Sequence, residues 1–255
     1  MRIALISDIH GNAVALEAVL ADIHREQPDQ VICLGDVATL GPQPRHVLAQ
    51  LQATSCSCIM GNHDSVLLHL TAIRNYIMLP GVEDTVRWCA QQLSPADLEY
   101  VRSFRPSLAL SAGDGASLLC FHGSPQSNTD LILAETSAVE LEKLLAGSTA
   151  TVLAGGHSHI QMLRRHRSVL VVNPGSVGAP WEQIPFSGGL PRVLPWAEYA
   201  LVEWIDGVLS VDLRRVPFEV QAAKDAVLSS DMPAWYKDWL LDGWWTVGSR
   251  YQTDA

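Results

Sequence analysis

The chain has 255 residues, of which 48% are hydrophobic, and this is enough for one large α/β domain with a sizeable core. Its formal net charge of −10 argues against a nucleic-acid-binding surface, although carboxylates that bind metal ions can still create a positive field for a phosphate substrate. The N-terminal apolar run is too short for a signal peptide, and no apolar stretch approaches a membrane span. We therefore expect a cytoplasmic protein that binds neither nucleic acid nor membranes.

The five cysteines are scattered through apolar runs, at Cys33, Cys56, Cys58, Cys89 and Cys120. An odd number in such runs is typical of buried thiols in a reducing compartment rather than of a disulfide framework. Cys56 and Cys58 could form half of a zinc site, but the sequence has no second Cys pair to complete it, so core packing is favoured.

The first third of the chain is predicted to form three buried strands joined by helices. The strands are predicted over 2–8, 31–34 and 58–60, and the helices over 12–26 and 45–52. Each apolar run ends at a polar residue beside glycine. This βαβαβ order places those polar residues on one edge, where ligands bind in open α/β sheets.

The segment from about 65 to 104 has helical periodicity and too few apolar residues to close a core of its own. We interpret it as a small helical insertion. Strands 107–112 and 117–121 are then predicted as a hairpin around Gly113–Gly115. After a helix near 135–146, the sheet is predicted to continue with strands at 151–154, 160–165 and 168–173.

The last quarter of the chain contains a long loop, a hairpin and a helical tail. Residues 178–196 are rich in Pro and Gly and predict the loop, and 199–204 with 208–216 predict a hairpin that turns at Asp206-Gly207. The Trp-rich tail, about 218–255, is predicted to be helical and to serve as core or as a subunit contact in a homo-oligomer. We expect residues 1–255 to form a single domain.

Polar residues that can bind a metal ion follow five of the predicted strands. Because side chains alternate along a strand, Asp8 and His10 are expected to face one ion. Carboxylate, imidazole and amide ligands without thiolate suit manganese, iron, cobalt, nickel or zinc. Two ions could share the set if one acid bridges them. The residues at these strand ends are Asp8, His10, Asp36, Asn62, His63, His122, His157 and His159.

In their order, the motifs around these residues resemble those of the calcineurin-like metallophosphoesterase superfamily, and within it the small bacterial phosphodiesterase branch. The five motifs are Asp8-Ile9-His10, Gly35-Asp36, Gly61-Asn62-His63-Asp64, His122-Gly123 and Gly156-His157-Ser158-His159. The continuation Gly35-Asp36-Val37 and the element Asn173-Pro174-Gly175-Ser176 favour that branch. The resemblance covers roughly residues 2–178 and implies a four-layer α/β/β/α sandwich with the metals at its strand ends.

The resemblance also implies a role for each motif residue. It implies two divalent ions, manganese first, with iron, nickel, cobalt or zinc as alternatives, and a hydroxide between them as the nucleophile. One ion would be held by Asp8, His10, Asp36 and His159, and the other by Asp36, Asn62, His122 and His157. His63 would stabilise the developing charge or protonate the leaving oxygen, with Asp64 orienting it.

The implied activity is hydrolysis of a small phosphodiester or nucleotide substrate. A dinucleoside polyphosphate hydrolase, for instance one that cleaves diadenosine tetraphosphate, or a phosphomonoesterase is the alternative. A non-catalytic scaffold of the same fold is a third hypothesis, but His63 and all seven ligand residues are present. A protein phosphatase is disfavoured, because Asp36 is followed by Val37-Ala38 rather than leading to Asp-Arg-Gly, and His63 by Asp64 rather than Glu.

Other polar residues near the motifs have structural alternatives. Ser158 is interpreted as a turn residue, since the second glycine of a nucleophile elbow is missing. Asn173 could reach the metals or cap a turn, and the turn is favoured. Arg74, Tyr76 and Arg192 could bind a substrate phosphate, but a solvated surface is favoured for all three.

Overall fold

The structure is a computed structural model that describes residues 1–73, 82–113, 115–183 and 192–245. Arg74, Tyr76 and the central residue of the Gly113–Gly115 turn lie outside the described residues. In chain order the strands are β1 (Arg2–Ile6), β2 (Gln30–Cys33), β3 (Ser57–Cys58), β4 (Leu108–Gly113), β5 (Ala116–Cys120), β6 (Val152–Ala154), β7 (Met162–His166), β8 (Val169–Asn173), β9 (Ala197–Ile205) and β10 (Val208–Val216).

The helices lie between the strands and after the last one. They are α1 (Ala13–Glu26), α2 (Pro44–Ala53), α3 (Asn62–Leu68), α4 (Val82–Gln92), α5 (Pro95–Arg102), α6 (Ala138–Leu144), α7 (Val220–Ser229) and α8 (Ala234–Trp245). The side chain of Asn12 accepts the Ala15 N–H and so caps α1. Pro95 begins α5, because proline suits the first helical position.

The strands form two five-stranded mixed sheets, ordered β10-β9-β1-β2-β3 and β4-β5-β6-β8-β7. In each sheet three neighbouring strands run parallel: β1, β2 and β3 in the first, and β5, β6 and β8 in the second. Both predicted hairpins are present, and both Asp206 and Gly207 have positive φ, as a type I′ turn requires. The two sheets therefore present their parallel strand ends side by side.

Strand β1 shows why its apolar run is nearly continuous. Ile3 and Leu5 face the second sheet and pack against its strands, whereas Ala4 and Ile6 face α1 and α2. Both faces of the strand are buried, so neither set of alternating positions is polar. Helix α6 packs on the outer face of the second sheet through Leu141. The α/β/β/α sandwich predicted from the motifs is confirmed.

The predicted extent of the first and third strands is wrong. Strand β1 ends at Ile6 rather than at residue 8, since Asp8 has a φ of 53°, which is outside the extended region. Strand β3 covers only Ser57–Cys58. Asp8 and His10 therefore come together through a turn, not through alternation along a strand.

The helical insertion and the Trp-rich tail pack against each other. Val66 of α3 and Val86 of α4 share a buried cluster with Val227 of α7 and with Tyr236 and Leu240 of α8. The described part of the tail is therefore helical and contributes to a core, as predicted. All five cysteines are buried free thiols. Within the described ranges, no helix combines the length and the apolar character needed to cross a bilayer. That residues 1–255 form a single domain stays a prediction.

Candidate metal centre

Five of the metal-binding candidates adopt a left-handed backbone conformation. Their φ angles are 53° for Asp8, 45° for His10, 59° for Asp36, 66° for His157 and 59° for His159. This conformation costs an L-residue about 1–2 kcal/mol because Cβ approaches the following carbonyl oxygen. Such strain persists only where the surrounding structure enforces it, and it concentrates at functional sites. Each strand thus ends in a tight turn that redirects a ligand-type side chain at the sheet edge.

Three of these side chains converge to form what we call group A: Asp8, His10 and His159. His10 Nε2 lies 3.0 Å from His159 Nε2, and Asp8 Oδ1 lies 3.4 Å from His159 Nε2. All three residues are buried. Two motifs 149 residues apart therefore meet where β1 of the first sheet and β6 of the second sheet end on the same side of the sandwich.

The second convergence, group B, consists of Asp36, His122 and His157. Asp36 Oδ2 lies 3.3 Å from His122 Nε2, and Asn62 Oδ1 lies 3.0 Å from that same nitrogen. Asp36 Oδ2 is also 3.9 Å from His10 Nε2 of group A. The structure thus brings all seven predicted ligand residues to one edge, with Asp36 between the two groups.

The donor set in both groups fits a divalent cation. His159 Nδ1 donates to the Ala179 carbonyl at 2.7 Å, and His122 Nδ1 donates to the Leu34 carbonyl at 2.7 Å, so each ring directs the lone pair of its Nε2 into the centre. Asp8 Oδ1 is buried and accepts no hydrogen bond from the described residues. Converging buried acceptors that lack donors repel one another unless a cation lies among them.

Burial and charge set the protonation of these residues. Burial lowers the pKa of His10 well below its usual value, and it lowers that of His157 to about 3. Burial alone would raise the pKa of Asp36, but the nearby imidazoles of His122 and His63 outweigh it and hold that pKa well below its usual range. His10 and His157 are therefore neutral imidazoles near an ionised Asp36 carboxylate, which are the forms that bind metal ions. Burial opposes a charge on His122, but the Asp36 carboxylate outweighs it and raises the pKa of His122 to about 9, so His122 must release a proton when a metal ion binds.

His63 lies beside the two groups and belongs to neither. Its ring is 5.1 Å from the His10 ring in an edge-to-face arrangement, and its backbone N–H donates to Asp36 Oδ1 at 2.9 Å. The Nδ1 of His63 is buried without a hydrogen-bond partner among the described residues. Its imidazole is therefore next to the ligands with one ring nitrogen unbonded, and burial lowers its pKa while the Asp36 carboxylate acts in the opposite direction.

Asp64 contacts backbone groups rather than His63. Its Oδ2 accepts the N–H groups of Asp36 at 2.8 Å and Gly61 at 3.0 Å, and its Oδ1 accepts the Val37 N–H at 2.9 Å. Burial raises the pKa of Asp64 to about 7, while these three N–H groups favour its ionised form. The expectation that Asp64 orients His63 is corrected: it joins the third motif to the turn that carries Asp36.

Residues 173–179 connect the first motif to the last one. Asn173 Nδ2 donates to the Gly156 carbonyl at 2.7 Å and to Ser158 Oγ at 2.9 Å, which agrees with the structural roles favoured for Asn173 and Ser158. Ser176 Oγ donates to the Asp8 carbonyl at 2.7 Å. Arg192 lies 3.5 Å from Glu182, in an ion pair rather than at the metal groups.

Sequence reasoning missed several contacts that hold the ligands. The carbonyls of Leu34 and Ala179 orient two imidazoles, and residue identity carries no information about backbone oxygens. Trp181 stacks on the His159 ring with centroids 4.2 Å apart, and its only sequence signal is an aromatic residue within a Pro/Gly-rich loop. Those supports come from the three-dimensional fold.

Comparisons with known proteins agree with this geometry. A model of the calcineurin-like phosphoesterase superfamily domain matches residues 1–192. An uncharacterized protein of Methanocaldococcus jannaschii is 24% identical over 94% of this chain and 98% of its own length. A symmetrical bis(5′-nucleosyl)-tetraphosphatase of Pectobacterium carotovorum is 28% identical over 58% of this chain and 52% of its own. The crystal structure of a metallophosphoesterase from Sphaerobacter thermophilus superimposes with a TM-score of 0.71 at 24% identity, over 95% of this chain and 100% of that one.

Proposed function

Because the chain belongs to the calcineurin-like phosphoesterase superfamily, we propose that it is a dinuclear metal-dependent phosphoesterase that hydrolyses a small phosphodiester or nucleotide. The observation that supports this most is the position of Asp36. Its Oδ2 lies 3.3 Å from His122 Nε2 and 3.9 Å from His10 Nε2, so one carboxylate is shared by two groups of ligand-type side chains. A shared acid of this kind suits a pair of ions.

The proposal assigns each group one ion. Two divalent ions, once bound, would supply an activated water as the nucleophile and would neutralise charge on the phosphoryl oxygens. Manganese is the first ion to test, with iron, nickel, cobalt and zinc as alternatives. The residues that would hold them are Asp8, His10, Asp36 and His159 for one ion, and Asp36, Asn62, His122 and His157 for the other.

His63 is proposed as the catalytic acid. Its ring lies beside His10, and its backbone is held by the Asp36 carboxylate. A proton on this imidazole would be given to the leaving oxygen as the ester bond breaks. Asp64 would contribute indirectly as a positioning residue, because its carboxylate holds the turn that carries Asp36.

The substrate class is proposed to be small molecules. The matched Pectobacterium protein is named a symmetrical bis(5′-nucleosyl)-tetraphosphatase, which favours a dinucleoside polyphosphate as the second candidate beside simple phosphodiesters. A phosphomonoester is a third. The five free buried thiols favour a reducing compartment, so a cytoplasmic enzyme is part of the same proposal.

Hydrolysis by chelated and metal-refilled protein tests the proposal. Bis-p-nitrophenyl phosphate, p-nitrophenyl phosphate and diadenosine tetraphosphate are offered side by side, with chelated protein as the control. We expect hydrolysis only after manganese is restored, and the preferred substrate assigns the subclass. Binding of two ions with no turnover of any of the three would contradict the proposal and favour the non-catalytic scaffold. Turnover that persists in excess chelator would also contradict it.

A further inference from the structure

The indole of Trp181 covers one face of a group A ligand. Its ring lies 4.2 Å from the His159 ring, centroid to centroid, at an angle of 25° between planes. The His10 ring also stacks on His159, with centroids 4.8 Å apart at 25°. His159 is therefore in stacking contact with two rings, and rotation of its plane would break both contacts.

The edge of the His159 ring is fixed as well. Its Nδ1 donates to the carbonyl of Ala179, two residues before Trp181. One short segment thus supplies both the acceptor for Nδ1 and the aromatic ring over the face. With Nδ1 bonded and two rings stacked on the imidazole, Nε2 is the atom that remains directed at Asp8 and His10.

Trp181 is itself held by the backbone around it. The backbone N–H of Trp181 donates to the His159 carbonyl at 3.1 Å. The preceding residue is held as well, because the Leu194 N–H donates to the Pro180 carbonyl at 2.8 Å. The indole is partly buried and packs against the cluster shared by α3, α4 and the C-terminal helices. The side chain therefore links that cluster to a ligand-type histidine.

We propose that Trp181 is a positioning residue, whose flat ring holds the His159 imidazole in the plane that directs Nε2 at the group A ion. The inference rests on the proposed function, because it needs an ion at group A. Group B is supported differently: the His122 and His157 rings lie 5.1 Å apart at 59°, and among the described residues neither ring stacks on an indole. The effect of removing the indole is therefore confined to one of the two ions.

Manganese titration of the chelated full-length chain tests this inference, with free ion counted by electron paramagnetic resonance. Trp181→Leu removes the flat ring and keeps an apolar side chain, whereas Trp181→Phe keeps a flat ring. Trp235→Leu is the matched control, since Trp235 is 43% exposed and contacts Tyr236 rather than the centre. We expect Trp181→Leu to weaken one of the two ions about tenfold, as for other residues that orient a metal ligand, and Trp181→Phe to restore most of that affinity.

Three titration results would overturn the inference: wild-type affinity for both ions in Trp181→Leu, equal weakening of both ions, or the same loss in the Phe and Leu variants. Should Trp181→Leu fail to fold by circular dichroism, indole fluorescence decides. The emission of Trp181 is obtained as the difference in indole fluorescence between wild type and Trp181→Phe, and Mn²⁺ should quench it as the ion fills group A. Emission of Trp181 that Mn²⁺ leaves unchanged would overturn the inference.

The same titration separates this inference from the proposed function. A wild type that binds two ions and cleaves no substrate would contradict the proposed function, while the selective loss in Trp181→Leu would still support the role of Trp181. A wild type that binds no ion would overturn both.

Discussion

Groups A and B contain the same ligand chemistry, but different parts of the chain support them. Group A joins the first motif to the last, and residues 173–181 hold it from outside through Ser176, Ala179 and Trp181. Group B joins the second, fourth and fifth motifs, and Asp64 of the third motif holds the turn that carries Asp36. Because residues 173–181 contact Asp8 and His159, changes in this segment should weaken group A more than group B.

The two supports also differ in kind. The group A support uses hydroxyl, carbonyl and aromatic contacts from a loop that follows β8. The group B support is one buried carboxylate that accepts three backbone N–H bonds. Asp36 belongs to the centre of both, since its Oδ2 approaches His122 and His10. The difference teaches that the group A support can be varied by itself, whereas the group B support acts through Asp36, which cannot be changed without affecting both groups.

Asp36→Asn should therefore weaken metal binding at both groups alike, and its effect should be the largest. Asparagine keeps the shape but removes the shared charge, so both ions should weaken by more than about 100-fold, the upper range for changes in residues that only orient ligands. Metal content after dialysis and hydrolysis in the same samples measure this. Asp206→Asn in the exposed turn before β10 is the control. Loss of only one ion would contradict a bridging Asp36.

His63→Ala should remove turnover while leaving both groups intact. The imidazole lies next to the ligands but belongs to neither group, and loss of a general acid lowers turnover by about 10²–10⁴-fold. Metal stoichiometry and steady-state kinetics are measured together, with the exposed His69→Ala as the control. Unchanged turnover would remove the role proposed for His63, and loss of an ion would make it a ligand.

Asp64→Asn should weaken both groups, and less than Asp36→Asn does, because Asp64 holds the turn that carries the shared Asp36. In asparagine an NH₂ group replaces one of the two carboxylate oxygens, so at least one backbone N–H group would face a donor instead of an acceptor. We expect this to lower the free energy of unfolding by about 3 kcal/mol. Asp97→Asn is the matched control: Asp97 occupies the same third position of a helix, at α5, and its loss should cost about 1 kcal/mol. Urea unfolding and metal titration measure both, and equal costs would contradict the additional role of Asp64.

Glu198 gives the smallest expected effect, on the group A side. It is buried beside the turn that carries Ser176, and its N–H donates to the Ser176 carbonyl at 2.9 Å. Burial raises its pKa to about 7, although the Trp196 indole N–H and Arg215 act in the opposite direction. A folded-state pKa above the unfolded value means that its contribution to stability is complete below the unfolded pKa and is lost as pH rises through about 7.

In the wild type, ionisation of Glu198 should lower the free energy of unfolding by about 2 kcal/mol between about pH 5 and about pH 8. Glu198→Gln should abolish this part of the pH dependence. Urea unfolding at the two pH values measures this. Glu203→Gln is the control on the same strand, because Glu203 is partly exposed beside Arg2. A pH dependence in Glu198→Gln equal to that of the wild type would contradict the raised pKa.

Much of the fold follows from local patterns in the sequence. A strand that is buried on both faces needs a continuous apolar run, and Ile3–Ile6 is such a run. A type I′ turn needs positive φ, which Asp206-Gly207 readily adopts, so this pair predicts the hairpin. The strand ends could not be predicted as well. Whether Asp8 continues a strand or enters the left-handed region depends on contacts with Gly35, Gly178 and Ser176, which come from distant parts of the chain.

The convergence of the ligands could be expected from the motifs, but their supports could not. Asp64 has the residue type that suits an orienting acid, yet its oxygens bind the N–H groups of Asp36, Val37 and Gly61 instead of His63. Trp181 reaches His159 because residues 180–182 pair with residues 192–194. No local sequence pattern predicts that pairing. Side-chain chemistry is readable in sequence, whereas the hydrogen-bond partner of a given oxygen depends on the fold.

The central claim is that two ions share Asp36 and are both needed for hydrolysis. Its most direct test is a manganese titration of chelated protein, in which ions bound per chain and hydrolysis of the preferred phosphoester are measured in the same samples. The account predicts two bound ions per chain and activity that rises with the occupancy of the second. Maximal activity with a single ion, or full activity in excess chelator, would contradict it.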